Sequence, residues 1–174
     1  RVSEKVRTAN YAEKIIGTEE NIYEMFSRLA MPFEEQRDLF AYAREKGIEI
    51  FSTPFDIQSV NFLEDMAVAV YKIASMDLVN LPLIRQVAQT GKPMIISTGM
   101  SNVAQIEEAL EVVVEEGNGN VALLHCNSSY PAAPEEMNLK IINNLQNYYN
   151  IPVGLSDHTL NDRIDGWIGE TEHF

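Results

Sequence analysis

Cysteine is nearly absent from this sequence. The single thiol, Cys126, excludes an intrachain disulfide and fits a reducing compartment. Positive charge is scarce as well: 13 Lys and Arg stand against 26 Asp and Glu, a formal net charge of −13. Non-specific nucleic-acid binding needs clustered Lys and Arg, so no nucleic-acid partner is expected. An anionic substrate is not excluded, because local groups can override the global field. No apolar run approaches the roughly 18 residues of a membrane span, so no membrane partner is expected either. No apolar region of the signal-peptide type follows Arg1-Val2-Ser3-Glu4-Lys5, and a cytoplasmic location is the expectation. Gly-x-Gly-x-x-Gly follows none of the apolar segments, which counts against a dinucleotide-binding open sheet. With no low-complexity tract and no linker, 174 residues read as one domain.

What is present is a repeat. Five short apolar segments, Ile48–Phe51, Val68–Ile73, Pro93–Ile96, Val121–Leu124 and Ile151–Leu155, each run into a small polar cluster. The clusters are Ser52-Thr53-Pro54, Ala74-Ser75-Met76-Asp77, Ser97-Thr98-Gly99-Met100, His125-Cys126-Asn127-Ser128 and Ser156-Asp157-His158-Thr159. Helical periods separate them, at Ile57–Met66, Leu81–Thr90, Val103–Glu116 and Leu139–Tyr149. Asn102 with Gln105 has the form of a capping box. Upstream, Asn21–Leu29 is helical, and a second helix starts at Pro32 and stops at Lys46-Gly47. The strand–helix repeat predicts a parallel α/β sheet whose C-terminal strand ends share one edge. The strands lack in/out alternation, so both faces are expected to be buried. Polar groups at every strand end, in place of one switch point, favour a (β/α)8 barrel of the TIM type. Five strands cannot close such a barrel, so an incomplete one is expected.

The chemistry sits at the strand ends. Lys72 lies inside an apolar strand and must face a partner or a cavity, because an unpaired buried ammonium is costly. It suits a Schiff base, an anionic ligand, or a structural ion pair with Asp77. Thr53, Ser75, Ser97, Ser128 and Ser156 put hydroxyls on the same edge, where together they could ring a phosphate or carboxylate. His158 and His173 are candidate metal ligands, and His125 reads as a packed core histidine. Cys126 reads as a buried small residue. Tyr130 is either a substrate-facing aromatic or a loop anchor.

Taken together, Phe51-Ser52-Thr53-Pro54-Phe55-Asp56, Tyr71-Lys72-Ile73-Ala74-Ser75, Leu81-Pro82-Leu83-Ile84, Gly91-Lys92-Pro93, Ile96-Ser97-Thr98-Gly99-Met100, Tyr130-Pro131-Ala132 and Gly154-Leu155-Ser156-Asp157-His158-Thr159 resemble the sialic acid synthase family. The resemblance implies a (β/α)8 barrel followed by a small antifreeze-like domain. It also implies an enzyme that joins phosphoenolpyruvate to the open-chain aldehyde of a 2-acetamido sugar, N-acetylmannosamine in the sialic acid case. Legionaminate and pseudaminate are the related products. A divalent metal, Mn²⁺ with Mg²⁺ or Co²⁺ as alternatives, would polarise the aldehyde oxygen. Carried over by position, Thr53, Lys72, Ser75, Ser97 and Ser156 match phosphoenolpyruvate-binding residues. Asp77, Ser128 and Tyr130 match sugar-contacting residues, and His158 and His173 match the metal ligands. A homodimer is one expectation. The family's first-strand Ala-Glu-x-Gly-x-Asn-His, which carries the catalytic Glu, and the second-strand Lys-x-Gln have no match here. Nor does 160–172 resemble the family's seventh helix, and the antifreeze-like domain is absent. The expectation is a truncated member lacking the first two strands, spanning 1–174 as one partial barrel domain and inactive alone. Two alternatives stand beside it: a Schiff-base aldolase using Lys72, and a non-catalytic barrel remnant.

Overall fold

A computed structural model of the chain describes residues 21–159. The chain divides into two compact units, 1–47 and 48–174. In the first, α1 (Ile22–Leu29) opens with a capping box in which Asn21 Oδ1 accepts the Glu24 N–H at 2.8 Å. Helix α2 (Phe33–Glu45) follows Pro32, buries Phe40 and Ala43, and stops at Gly47, whose φ of +69° suits a residue without a Cβ.

The second unit alternates helix and strand: α3 (Ile57–Asp65), β1 (Tyr71–Ile73), α4 (Leu81–Ala88), β2 (Met94–Ser97), α5 (Val103–Glu115), β3 (Val121–Cys126), α6 (Lys140–Tyr149) and β4 (Val153–Ser156). Short 3₁₀ turns at Ser75–Asp77 and Pro134–Glu136 leave β1 and precede α6. The strands form one parallel sheet in the order β1-β2-β3-β4. Each strand neighbours the next in sequence, and the order never reverses. Right-handed crossovers then put successive helices on the same face of the sheet. A doubly wound sheet would instead contain a switch point.

The expected capping box of α5 is present, with Asn102 and Gln105 bonded to each other's backbone N–H at 3.0 Å. The segment Ile48–Phe51, expected as a strand, is irregular: no described strand pairs with the outer edge of β1, and a strand without a ladder is not a strand. Ile48 and Phe51 are accordingly exposed. Strand β1 is also shorter than Val68–Ile73. The Val68 N–H is still engaged by the Leu63 carbonyl at the end of α3, and Ala67 turns the chain with φ +52°.

The expectation that both sheet faces are buried is half correct. Tyr71, Ile73, Met94, Ile96 and Leu123 are 0–1% exposed and lie on the face the helices cover. Leu83, Ile84 and Val87 of α4 and Val113 of α5 complete that core, each at most 1% exposed. The alternate residues of each strand form the opposite face, which is half-buried at Lys72, Ile95, Ala122 and Leu124 and closed at Ser97 and Cys126.

Candidate functional site

Parallel register decides which strand residues share that second face. Lys72 pairs with Ile95, and Ile95 with Ala122. Ser97 pairs with Leu124, Leu124 with Gly154, and Cys126 with Ser156. Side chains alternate along a strand with period two, so Lys72, Ser97, Cys126 and Ser156 all belong to the face opposite the buried core. Ser97, Cys126 and Ser156 are the last residues of their strands, which puts them on the C-terminal edge.

Several groups there lack internal partners. Among the described residues, four buried side-chain oxygens accept and donate nothing, and three are Asp77 Oδ2, Ser97 Oγ and Ser128 Oγ. Buried polar atoms are nearly always bonded, because stranding one costs about 1–3 kcal/mol. Asp77 Oδ1 accepts from Asn80 Nδ2 at 3.2 Å. Its carboxylate does not pair with Lys72, and Lys72 makes no ion pair among the described residues. The structural ion pair that could have explained Lys72 is therefore not formed.

Ser75 lies on the 3₁₀ turn after β1, and its Oγ accepts the Gly99 N–H at 3.1 Å. Ser128 approaches the same glycine from the loop after β3. The structure thus brings Lys72, Ser75, Ser97, Ser128 and Ser156 to one edge, with Asp77 close behind Ser75 in the chain. Thr53 sits in the irregular segment before α3 and makes no hydrogen bond among the described residues.

His158 follows β4 and is held on several sides. Its Nδ1 lies 2.6 Å from the Asn127 carbonyl oxygen. A carbonyl only accepts, so Nδ1 carries the proton and Nε2 keeps its lone pair, which takes the Tyr130 hydroxyl at 2.9 Å. The Tyr130 and His158 rings stack at 3.9 Å between centroids. Cys126 Sγ lies 3.8 and 3.9 Å from the two ring nitrogens. The Ala132 N–H donates to the His158 carbonyl at 2.9 Å, which ties the Tyr130 loop to the end of β4. A backbone carbonyl on one imidazole nitrogen, fixing the tautomer so that the other faces outward, is the usual support of a metal-binding histidine. His158 has that support, and a divalent cation would take the Nε2 position that the Tyr130 hydroxyl occupies. Among the described residues no group of three or more His, Cys, Asp or Glu side chains gathers as a metal site. His173, the second expected ligand, lies outside the described residues.

His125 is the core residue its sequence context suggested. It is buried, and its Nε2 donates to the Met137 carbonyl at 2.6 Å beneath the Ala132–Met137 cluster. A groove of about 490 Å³ between α5 and α6 is lined by Glu107, Leu110, Glu111, Val114, Glu115 and Tyr149. It carries none of the strand-end groups. Sequence reasoning missed Gly99 and the Asn127 carbonyl. Neither a glycine without a turn nor a backbone oxygen leaves a signal in residue type.

The parallel sheet carries polar, under-satisfied groups along its C-terminal edge, the edge on which α/β barrels build their sites. Comparison narrows the class: the chain belongs to the NeuB family, whose model matches residues 1–166. It is 37% identical over 160 residues to the N,N'-diacetyllegionaminic acid synthase of Campylobacter jejuni, covering 91% of this chain and 48% of that protein. It is 46% identical over 150 residues to an uncharacterised protein, MJ1065, of Methanocaldococcus jannaschii, covering 86% and 44%. The crystal structure of an N-acetylneuraminic acid synthetase from Leptospira borgpetersenii, in complex with citrate, superposes with a TM-score of 0.80 at 31% identity. That match covers 88% of this chain and 53% of the other. The chain spans less than half the length of these two curated relatives.

Proposed function

We propose that this protein serves the condensation of phosphoenolpyruvate with N-acetylmannosamine or a related 2-acetamido sugar, with release of phosphate, as in nonulosonic acid synthesis. The observation that carries the reading is the set of buried, unpartnered oxygens of Ser97, Ser128 and Asp77, gathered with Lys72 at one strand edge. A multiply charged anion needs a cation and several O–H or N–H donors. Lys72 supplies the charge, and Ser75, Ser97, Ser156 and Thr53 supply hydroxyls. The Asp77 carboxylate suits sugar hydroxyls, and Tyr130, stacked on His158, matches a sugar-contacting residue by resemblance. Ser128 belongs to the sugar side by position in the family. His158, with its lone pair on Nε2, would hold a divalent cation, Mn²⁺ by resemblance, with His173 as second ligand. Such a cation supplies Lewis-acid polarisation of the aldehyde oxygen. The sheet is the strand-end part of a (β/α)8 barrel in this reading.

The experiment is a thermal melt with Mn²⁺ and phosphoenolpyruvate, separately and together, on wild type and Lys72→Ala. A ligand that binds only the folded state raises the midpoint. The reading expects an upward shift with both ligands that Lys72→Ala abolishes. A melt indifferent to both ligands would sink it. Borohydride trapping with pyruvate tests the aldolase alternative, since a Schiff base on Lys72 would be labelled and a point-charge lysine would not.

A further inference from the structure

Gly99 is buried, yet its φ lies outside the left-handed region, so backbone freedom does not explain why it is glycine. Space does. A Cβ at this position would stand 2.5 Å from Ser128 Oγ, 2.8 Å from Ser75 Oγ and 3.2 Å from the Cys126 carbonyl oxygen. Two hydroxyls, from the loops after β1 and β3, thus crowd the one bare Cα that follows β2. The Gly99 N–H donates to Ser75 Oγ at 3.1 Å, which fills an oxygen lone pair and leaves the Ser75 proton to be donated. No acceptor for that proton occurs among the described residues. Ser128 Oγ is buried and wholly unpartnered.

We infer that Gly99 is a positioning residue: its N–H and its missing side chain hold the Ser75 and Ser128 hydroxyls together as a pair of donors to one anionic oxygen, a carboxylate or phosphate. This rests on the anion-binding reading of the site, and it moves Ser128 from the sugar to the anion. Two O–H donors converging on a single acceptor suit a charged oxygen better than a sugar hydroxyl, because bonds to ionised groups are about twice as strong as neutral ones. Any side chain at position 99 would drive the two hydroxyls apart before a ligand arrived.

The test is a double-mutant cycle on the full chain: Gly99→Ala, Ser75→Ala/Ser128→Ala, and the triple variant. Each is melted without ligand and titrated calorimetrically with phosphoenolpyruvate and with inorganic phosphate in the presence of Mn²⁺. Gly99→Ala is expected to lower the melting midpoint and to weaken the anion by roughly tenfold or more. In the hydroxyl-free background the same substitution should leave the midpoint almost unmoved, since the clashing oxygens are gone. An equal drop in both backgrounds would assign Gly99 to backbone packing against Cys126 and overturn the inference. So would a Gly99→Ala protein that binds phosphoenolpyruvate as wild type does. A wild-type chain that binds neither anion removes the functional reading and the inference together. That result is distinct from those in which wild type binds and the variants do not differ.

Discussion

Replacing Ser97 by alanine should separate stability from function at this site. Ser97 is 1% exposed at the end of β2, and its Oγ has no partner among the described residues. Stranding a buried hydroxyl costs about 1–3 kcal/mol. Alanine keeps the Cβ and removes only one oxygen, so little packing is lost. The ligand-free protein should therefore gain about 1 kcal/mol, or a rise of about 2–4 °C in melting midpoint for a chain of this size. Affinity for phosphoenolpyruvate should move the other way, by about tenfold or more, since a hydrogen bond to an ionised group is lost. The assays are thermal and urea unfolding without ligand, followed by calorimetric titration with phosphoenolpyruvate and Mn²⁺. A fall of more than about 3 °C without ligand would refute the reasoning. It would mean that the hydroxyl is bonded inside the protein and is not held in reserve for an anion.

The opposite end of the sheet should respond in reverse. Asn118 is 5% exposed and donates to the Lys92 carbonyl at 2.9 Å while accepting the Asn120 N–H at 3.0 Å, so Asn118→Ala should cost about 2 kcal/mol in urea unfolding and leave anion affinity unchanged. The Tyr71 hydroxyl donates to Glu64 Oε1 at 2.7 Å from beneath α3, and Tyr71→Phe should cost about 1.5 kcal/mol by the same measurement. For Glu64, burial alone would raise the carboxyl, but hydrogen bonds from Lys92 and Tyr71 outweigh it and hold the group below its usual 4.5. A depressed folded value means stability that is present above 4.5 and lost as the pH falls below it through the folded value. Acid unfolding of Glu64→Gln should be flatter across that window, and an unchanged acid profile would count against the Lys92–Glu64–Tyr71 network. At His158, the Tyr130 hydroxyl occupies the Nε2 lone pair, so Tyr130→Phe should retain or strengthen Mn²⁺ binding and His158→Ala should lose it. The paramagnetic resonance signal of free Mn²⁺ reads both.

Much of this protein is local enough to be legible in its sequence. The α5 capping box needs only Asn102 and Gln105 three residues apart, and both bonds form. The helical periods fall within a few residues of α3 to α6, because one apolar stripe per helix is a one-dimensional signal. The polar clusters after the strands were visible for the same reason, as was a buried His125. Register and neighbourhood were not visible. Ile48–Phe51 has strand composition, but a strand exists only where another pairs with it, and none of the described strands does. Lys72 and Asp77 are close in sequence and opposite in charge, yet they do not pair, because the 3₁₀ turn at Ser75–Asp77 gives Asp77 to Asn80 instead. Cys126 lies 32 residues from His158, and Tyr130 lies 28 from it. Only parallel pairing of β3 with β4 brings the three together. Gly99 is the clearest case: nothing in its residue type marks it, and only the oxygens of Ser75 and Ser128, arriving from the loops after two other strands, show what its missing side chain leaves room for. Residue type and spacing determined the elements and the chemical groups available to this chain. The order and register of the sheet decided which of those groups face one another, since that depends on contacts between residues far apart in the sequence.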